Sequence, residues 1–355
     1  MRFIGGIIEK LQRHPKRIVF PEGDEPRVLQ AARQFLALRL GAPILIGDRT
    51  RIKRLAEELN VPLKEIHIIH PPESDELELF VDRFYKLRRE KGIQKDEARE
   101  AMLQPHYFAA MMVAMHRADG IVSGMREFGG SVLRPLLQVI KLAPECKTAS
   151  SCTILEVDDS RIGENGVLFL ADCGVIPDPT MEQLAEIAVS TARLARHLLG
   201  VRPRVALLSF STHGSTIHPM TNKVRAATAL AKQRAAELGI DAEFDGELQA
   251  HVALVPEIAQ KYLKNNRVAG RASVLIFPDL NAGHIAAHLL PVLTRSNVYG
   301  QILLGLDRPA AHVSPGMSVH DLVGVAAIVG VQAVDYHLLY PSAGRRYPGE
   351  EEEEL

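Results

Sequence analysis

The sequence predicts a two-domain α/β protein whose parallel strands are covered by helices. Three observations carry that prediction. Short apolar runs alternate with amphipathic stretches, the alternation is interrupted once near residue 147, and 355 residues exceed what a single core commonly fills.

Taken in order, "RIVF" reads as a strand leading into the helix "PRVLQAARQFLALRLG", with Pro26 near its start and Gly41 just past its end. The strand "PILIGD" leads into "RTRIKRLAEEL", "IHIIHP" into "ELELFVDRFYKLRREKG", and "GIVSG" into "SVLRPLLQVIKL". Near residue 147 the pattern changes. "KTASSCTILEV" and "VLFLADCGV" are joined by "DDSRIGENG", whose Asn165-Gly166 pair signals a hairpin or tight turn. Alternation resumes with helix "TMEQLAEIAVSTARLARHLLG", strand "RVALLSFS", helix "KVRAATALAKQRAAELG", strand "ASVLIFPDL", helix "GHIAAHLLPVLTR" and strand "ILLGL". A last helix, "LVGVAAIVGVQAVDYHLL", is apolar nearly all round, as a buried helix is, and packs back on the first domain. The expected domains are residues 1–148 with 305–340, residues 149–304, and an acidic tail over 341–355.

Composition narrows the function. Lys+Arg 42 against Asp+Glu 43 gives a net charge of −1, without the basic excess of a nucleic-acid binder. No apolar run reaches membrane-spanning length, and the first residues lack the apolar core and cleavage site of a signal peptide. The three cysteines, Cys146, Cys152 and Cys173, have no CxxC spacing and read as reduced thiols, so a cytoplasmic protein is expected.

Familiar catalytic motifs are missing: there is no GxxxxGK[ST], no GxGxxG after a strand and no GxSxG. His284 and His288 are four apart on one helix, but without a third ligand no metal site is expected. Cys173 has no evident base nearby and reads as a buried thiol filling a strand. The arginines carry more. Arg27 and Arg134 follow the carboxyl ends of expected parallel strands, where open α/β sheets bind ligands, and Arg88 ends a helix. Three guanidiniums can hold a phosphate bidentately, although each alone also suits a surface ion pair. The glycine-bearing loop in "GIVSGMREFGGSVLRP" offers backbone amides and a helix start to an anion, or is an ordinary turn. Near the other end, "VSPGMSVHDLV" sets Ser318 and Asp321 in a capping pattern and leaves Ser314 outside the helix on a Pro-Gly turn.

The blocks "RIVFPEGDEPRVLQAA", "ADGIVSG", "LRPLLQVIK", "ADCGVIPDPTMEQLAEIA", "DGELQ", "GRASVLIFPDLNAG" and the Ser314–Asp321 segment occur in the order of the phosphate acetyltransferase (phosphotransacetylase) and phosphate acetyl-butyryl transferase family, which the chain resembles over about residues 15–335. The resemblance implies an α/β/α fold like that of the isocitrate and isopropylmalate dehydrogenases, with the active site in the cleft between domains. It also implies a homodimer exchanging an acetyl or other short acyl group between coenzyme A and inorganic phosphate. Coenzyme A is then a substrate, and neither metal nor cofactor is needed. By position, Ser314 matches the serine beside the coenzyme A thiol, Asp321 the proposed base, and Arg27, Arg88 and Arg134 the cleft arginines. Ser131 and Asn281 are further candidate substrate contacts. A thiol with a pKa near ~8.5 benefits from a base, and a phosphate nucleophile from cations.

The departures gather among the same residues. Pro315 stands where the family has arginine, and "FGGS", Phe128 to Ser131, replaces a Ser/Thr-Thr-Ala-Asp loop. His251 takes the place of an acid, and His284 and His288 those of an asparagine and a lysine. Arg126 is the candidate to stand in for the lost guanidinium. Two readings follow: an active phosphate acyltransferase, or a catalytically degenerate domain of the same fold that senses acyl-coenzyme A.

Overall fold

The computed structural model describes residues 2–126 and 130–342. Phe128 and Gly129 of the divergent loop, and the acidic tail from residue 343, lie outside the described residues. The chain separates into two compact units. The first holds Leu11–Lys147, Gly305–Ala310 and the segment from Ala326 onward; the second holds the residues up to Lys10, Thr148–Leu304 and Ala311–Val325.

After α1 (Arg2–Arg13), the first unit alternates β1 (Lys16–Phe20), α2 (Pro26–Ala37), β2 (Gly41–Ile46), α3 (Arg49–Glu58), β3 (His67–Ile69) and α4 (Leu77–Arg88). Two helices that periodicity left unread follow, α5 (Lys95–Leu103) and α6 (Pro105–Ala114), then β4 (Gly120–Ser123) and α7 (Gly130–Val139). Its strands run parallel in the order β3-β2-β1-β4. Pro26 does open α2, where the Glu25 carboxylate accepts from the amides of Arg27 and Val28. Gly41, expected as a helix end, instead begins β2: a Cβ there would lie 1.8 Å from the Lys16 carbonyl oxygen, so neighbouring backbone demands the glycine.

The second unit begins with an antiparallel hairpin, β5 (Ser150–Glu156) and β6 (Val167–Ala171), whose connection contains Asn165 and Gly166 at φ +53° and +90°. It continues through α8 (Met181–Leu199), β7 (Arg204–Leu208), α9 (Pro219–Glu237), β8 (Glu243–Leu248), the short α10 (Ala250–Leu254) and α11 (Pro256–Tyr262), and β9 (Val274–Ile276). Then come α12 (Leu280–Thr294), β10 (Asn297–Leu304) and β11 (Ala310–His312), and finally α13 (Val319–Val334) and α14 (Tyr336–Leu339). The strand order is β11-β10-β5-β6-β9-β7-β8, parallel from β6 to β8 and antiparallel from β11 to β6.

The two units part at residues 147/148 and 304/305, and the residues up to Lys10 and Ala311–Val325 belong to the second unit. Side-chain packing explains this grouping. The Phe3 ring lies 6.5 Å from Phe169 and 6.1 Å from Tyr299, and its amide donates to Glu156. Gly324 of α13 lies against the Tyr299 ring, so the first half of that helix packs where β10 is, whereas Gly330 lies against Leu11.

Candidate active site

In the first unit the strand order reverses between β1 and β4, so the loops after these two strands part at their carboxyl ends and leave a crevice. A buried carboxylate stitches them together: Glu22 accepts from the amides of Gly124 at 2.9 Å, Met125 at 2.9 Å and Arg126 at 2.8 Å. Arg27 donates to Glu25 at 2.8 Å and to the Met125 carbonyl at 3.3 Å. Arg126, the candidate replacement cation, is already engaged: its guanidinium bonds the Asp24 carboxylate at 2.7 Å and also the Asp24 carbonyl.

Arg88 and Arg134 are both within electrostatic reach of Tyr107. The Tyr107 phenol donates to Gln138 at 2.8 Å, and its ring packs edge-on against Phe84 at 5.4 Å. Burial pushes its ionisation up, while the positive charges of Arg134 and Arg88 pull it down, so both guanidiniums act on one phenol. Arg134 is exposed on α7 and Arg88 half-buried at the end of α4. Ser131 is exposed in the first turn of α7.

The second unit has its own order reversal, between β7 and β9. Its post-β7 loop is held by Glu247, fully buried, which accepts from the Gly214 amide at 2.7 Å, the Ser211 hydroxyl at 3.1 Å and Arg225 at 3.1 Å. Asn281 is exposed in the first turn of α12 and does not line the pocket at Ser314 and Asp321.

That pocket, of about 270 Å³, lies between α12, β10 and the segment leading into α13. Its polar lining is Thr153, His288, Gln301, His312, Ser314 and Asp321, and Val298 and Met317 contribute apolar surface. The Ser314-Pro315-Gly316-Met317 turn closes with the Met317 amide on the Ser314 carbonyl at 3.0 Å, holding Ser314 at the pocket. Just beyond it, Ser318 caps α13 by accepting from the Asp321 amide at 3.1 Å, and its hydroxyl donates to Asp321 Oδ2 at 2.7 Å. The other oxygen, Oδ1, is buried and has no hydrogen-bond partner among the described residues. One segment therefore both starts the helix and presents a half-satisfied carboxylate beside a serine. A buried acceptor left this way keeps capacity for a donor, from water or from a bound molecule.

Cys152 and Cys173 are buried thiols, and burial raises both well above the ordinary range, which removes Cys173 as a nucleophile. The His284 and His288 rings lie 4.4 Å apart, and among the described residues no group of three or more metal-ligating side chains forms. No helix of the described residues is long and apolar enough to cross a membrane.

A family model described as phosphate acetyl/butaryl transferase matches residues 2–330. The chain is 44% identical to a phosphate acetyltransferase of Thermoanaerobacterium thermosaccharolyticum, over 94% of this chain and 100% of that protein. It is 42% identical to one from Acetivibrio thermocellus, over 94% of this chain and 98% of that protein. Among solved structures, a phosphotransacetylase from Streptococcus pyogenes superposes with a TM-score of 0.85 at 34% identity, covering 94% of this chain and 98% of that one.

Proposed function

The chain belongs to the phosphate acetyl/butaryl transferase family, and from that premise we propose that it exchanges an acetyl group between coenzyme A and inorganic phosphate. In one direction acetyl-coenzyme A and phosphate give acetyl phosphate and coenzyme A. Asp321 serves as the base for the coenzyme A thiol, Ser314 as the hydroxyl beside it, and Arg134, Arg27 and Arg88 as the cations that bind phosphate. Arg126, Ser131 and Asn281 are secondary substrate contacts.

The observation that carries this reading is the Asp321 carboxylate. Ser318 fixes one of its oxygens, and the other is buried at a pocket shared with Ser314 without a partner among the described residues. A thiol S–H is a donor of the kind that such an acceptor lacks, and removing its proton makes the thiolate that attacks acetyl phosphate. The arginines suit the anion, since guanidinium pairs with phosphate bidentately.

We assign the protein to the cytoplasm and to a homodimer formed through α12. Ile285, Leu289, Val292 and Leu293 fall on one face of that helix and are 51–76% exposed, an apolar stripe of the kind that oligomer contacts cover. Light scattering that returns the single-chain mass of 39.1 kDa would rule the dimer out.

The activity is tested by following loss of thioester absorbance on mixing the protein with acetyl-coenzyme A and phosphate. Phosphate-dependent thiol release is the expected result. Its absence would overturn the reading.

A further inference from the structure

Some polar side chains of the second unit's pocket are already engaged. The Thr153 hydroxyl bonds the Cys173 thiol. Gln301 donates to the Cys173 carbonyl at 3.3 Å and bonds Nδ1 of His312 through Oε1 at 3.2 Å. Lining groups that keep hydrogen-bonding capacity among the described residues include the Ser314 hydroxyl, Asp321 Oδ1 and the His288 ring. Among the described residues, the His288 ring contacts that of His284, one turn earlier on α12. Facing it from the other elements are His312 of β11 and Asp321 of α13, and the described pocket lining contains neither lysine nor arginine.

The chemistry needs one more part than Ser314 and Asp321 supply. A carboxylate accepts; it cannot donate to a carbonyl oxygen that is becoming an oxyanion. A serine hydroxyl gives one donor, and oxyanion sites commonly use two. His288 is an exposed residue of α12 whose ring is partly desolvated at the pocket; that desolvation, then the neighbouring His284, lowers its affinity for a second proton and favours the neutral imidazole with one N–H.

We propose that His288 is a catalytic residue whose ring N–H donates to the acyl carbonyl oxygen as the tetrahedral intermediate forms. This role rests on the acyl-transfer reading. In that step an oxygen of HPO₄²⁻ bonds the carbonyl carbon, and the C=O pair moves onto the oxygen held by Ser314 and His288. Collapse re-forms C=O and breaks C–S. The sulfur leaves with the bonding pair and takes up the proton that the phosphate gave up through Asp321. The imidazole neither gains nor loses a proton; it stabilises charge at the oxygen.

The test is steady-state kinetics with acetyl-coenzyme A and phosphate on wild type, His288→Leu and His288→Gln. Removing one oxyanion donor lowers kcat on the order of 10²-fold, and His288→Leu should do so with both KM values changed less than about threefold. His288→Gln keeps an N–H and should recover about tenfold of the loss; His288→Ala replaces His288→Leu should the latter not fold. A kcat for His288→Leu close to wild type, a loss confined to KM, or equal losses in the Leu and Gln variants would each overturn the role. A wild type without turnover overturns the acyl-transfer reading and this role with it, whereas an active wild type beside an unaffected His288→Leu removes the role alone.

Discussion

Two carboxylates of the second unit, Glu247 and Asp321, are employed in opposite ways. Glu247 is wholly buried and surrounded by donors: an amide, a hydroxyl and a guanidinium all reach it. Asp321, which lines the pocket, has one oxygen pinned by Ser318 and the other buried with nothing to accept from among the described residues. A saturated carboxylate holds a loop in shape, and a half-satisfied one keeps capacity for a molecule that arrives later. The same division runs through the first unit, where Glu22 is filled by three amides and Arg126 is taken up by Asp24, whereas Arg88 and Arg134 are grouped about Tyr107.

The strongest test of that division is Asp321→Asn. A positioned base contributes ~10²–10⁴-fold, so turnover should fall by that factor while the melting temperature stays near wild type. Asn can still accept from Ser318. Unchanged turnover in a folded variant would return Asp321 to a capping role.

Glu247→Gln should do the reverse. Burial pushes the Glu247 carboxyl up, but Arg225, the Gly214 amide and Ser211 outweigh it and hold it at about 2, against an ordinary 4.5. The folded value is depressed, so the stabilisation is complete above pH ~4.5 and is lost as pH falls toward 2. The shift corresponds to on the order of 3 kcal/mol. Thermal melts between pH 6 and 3 should show a variant less stable at the upper end and less sensitive to acid than wild type. A variant with the wild-type acid slope would show that the donors around Glu247 contribute little.

Arg134→Ala sharpens the comparison on the cationic side. Losing a charge-assisted hydrogen bond costs roughly 1.5–3 kcal/mol, so the apparent phosphate affinity should drop at least about tenfold, with coenzyme A affected less. Equal loss for both substrates would make Arg134 structural.

Arg126→Ala is the smallest expected effect. Its pair with Asp24 is 44% exposed on the arginine side, and exposed ion pairs contribute about 0–1 kcal/mol. Activity should stay within about tenfold of wild type, and a larger fall would give Arg126 a larger part in the reaction than a substrate contact already shared with Asp24.

Much of the fold was legible because it rests on local pattern. The alternation from β1 to α4, the hairpin at Asn165-Gly166 and the Ser318 cap are written in neighbouring residues. Helix α6 was not, because "PHYFAAMMVA" is apolar on almost every side and carries no period. Strand β8 was missed because "EFDGEL" is acidic, its charges answered by Arg225, His213 and Asn266 from other elements. At the site, Ser314 and Asp321 lie seven residues apart and could be read together. The pairing of Arg126 with Asp24 spans 102 residues, and Arg88 and Arg134, 46 residues apart, come within electrostatic reach of Tyr107 only by folding. Likewise His288, Gln301 and His312 come from three elements, and the Gln301–His312 bond depends on a contact that no spacing encodes.

Helix α12 presents three faces at once: Gly283 and Ala287 are buried, His288 and Pro291 line the pocket, and Ile285, Leu289 and Leu293 are open. Val292 belongs to both of the latter, lining the pocket while 76% exposed. Under the proposed pairing of subunits, a partner covering the open face also stiffens the wall that carries His288. Dilution then becomes a control on rate: by mass action, specific activity falls as the enzyme is taken below its dimer dissociation constant, before any loss of fold.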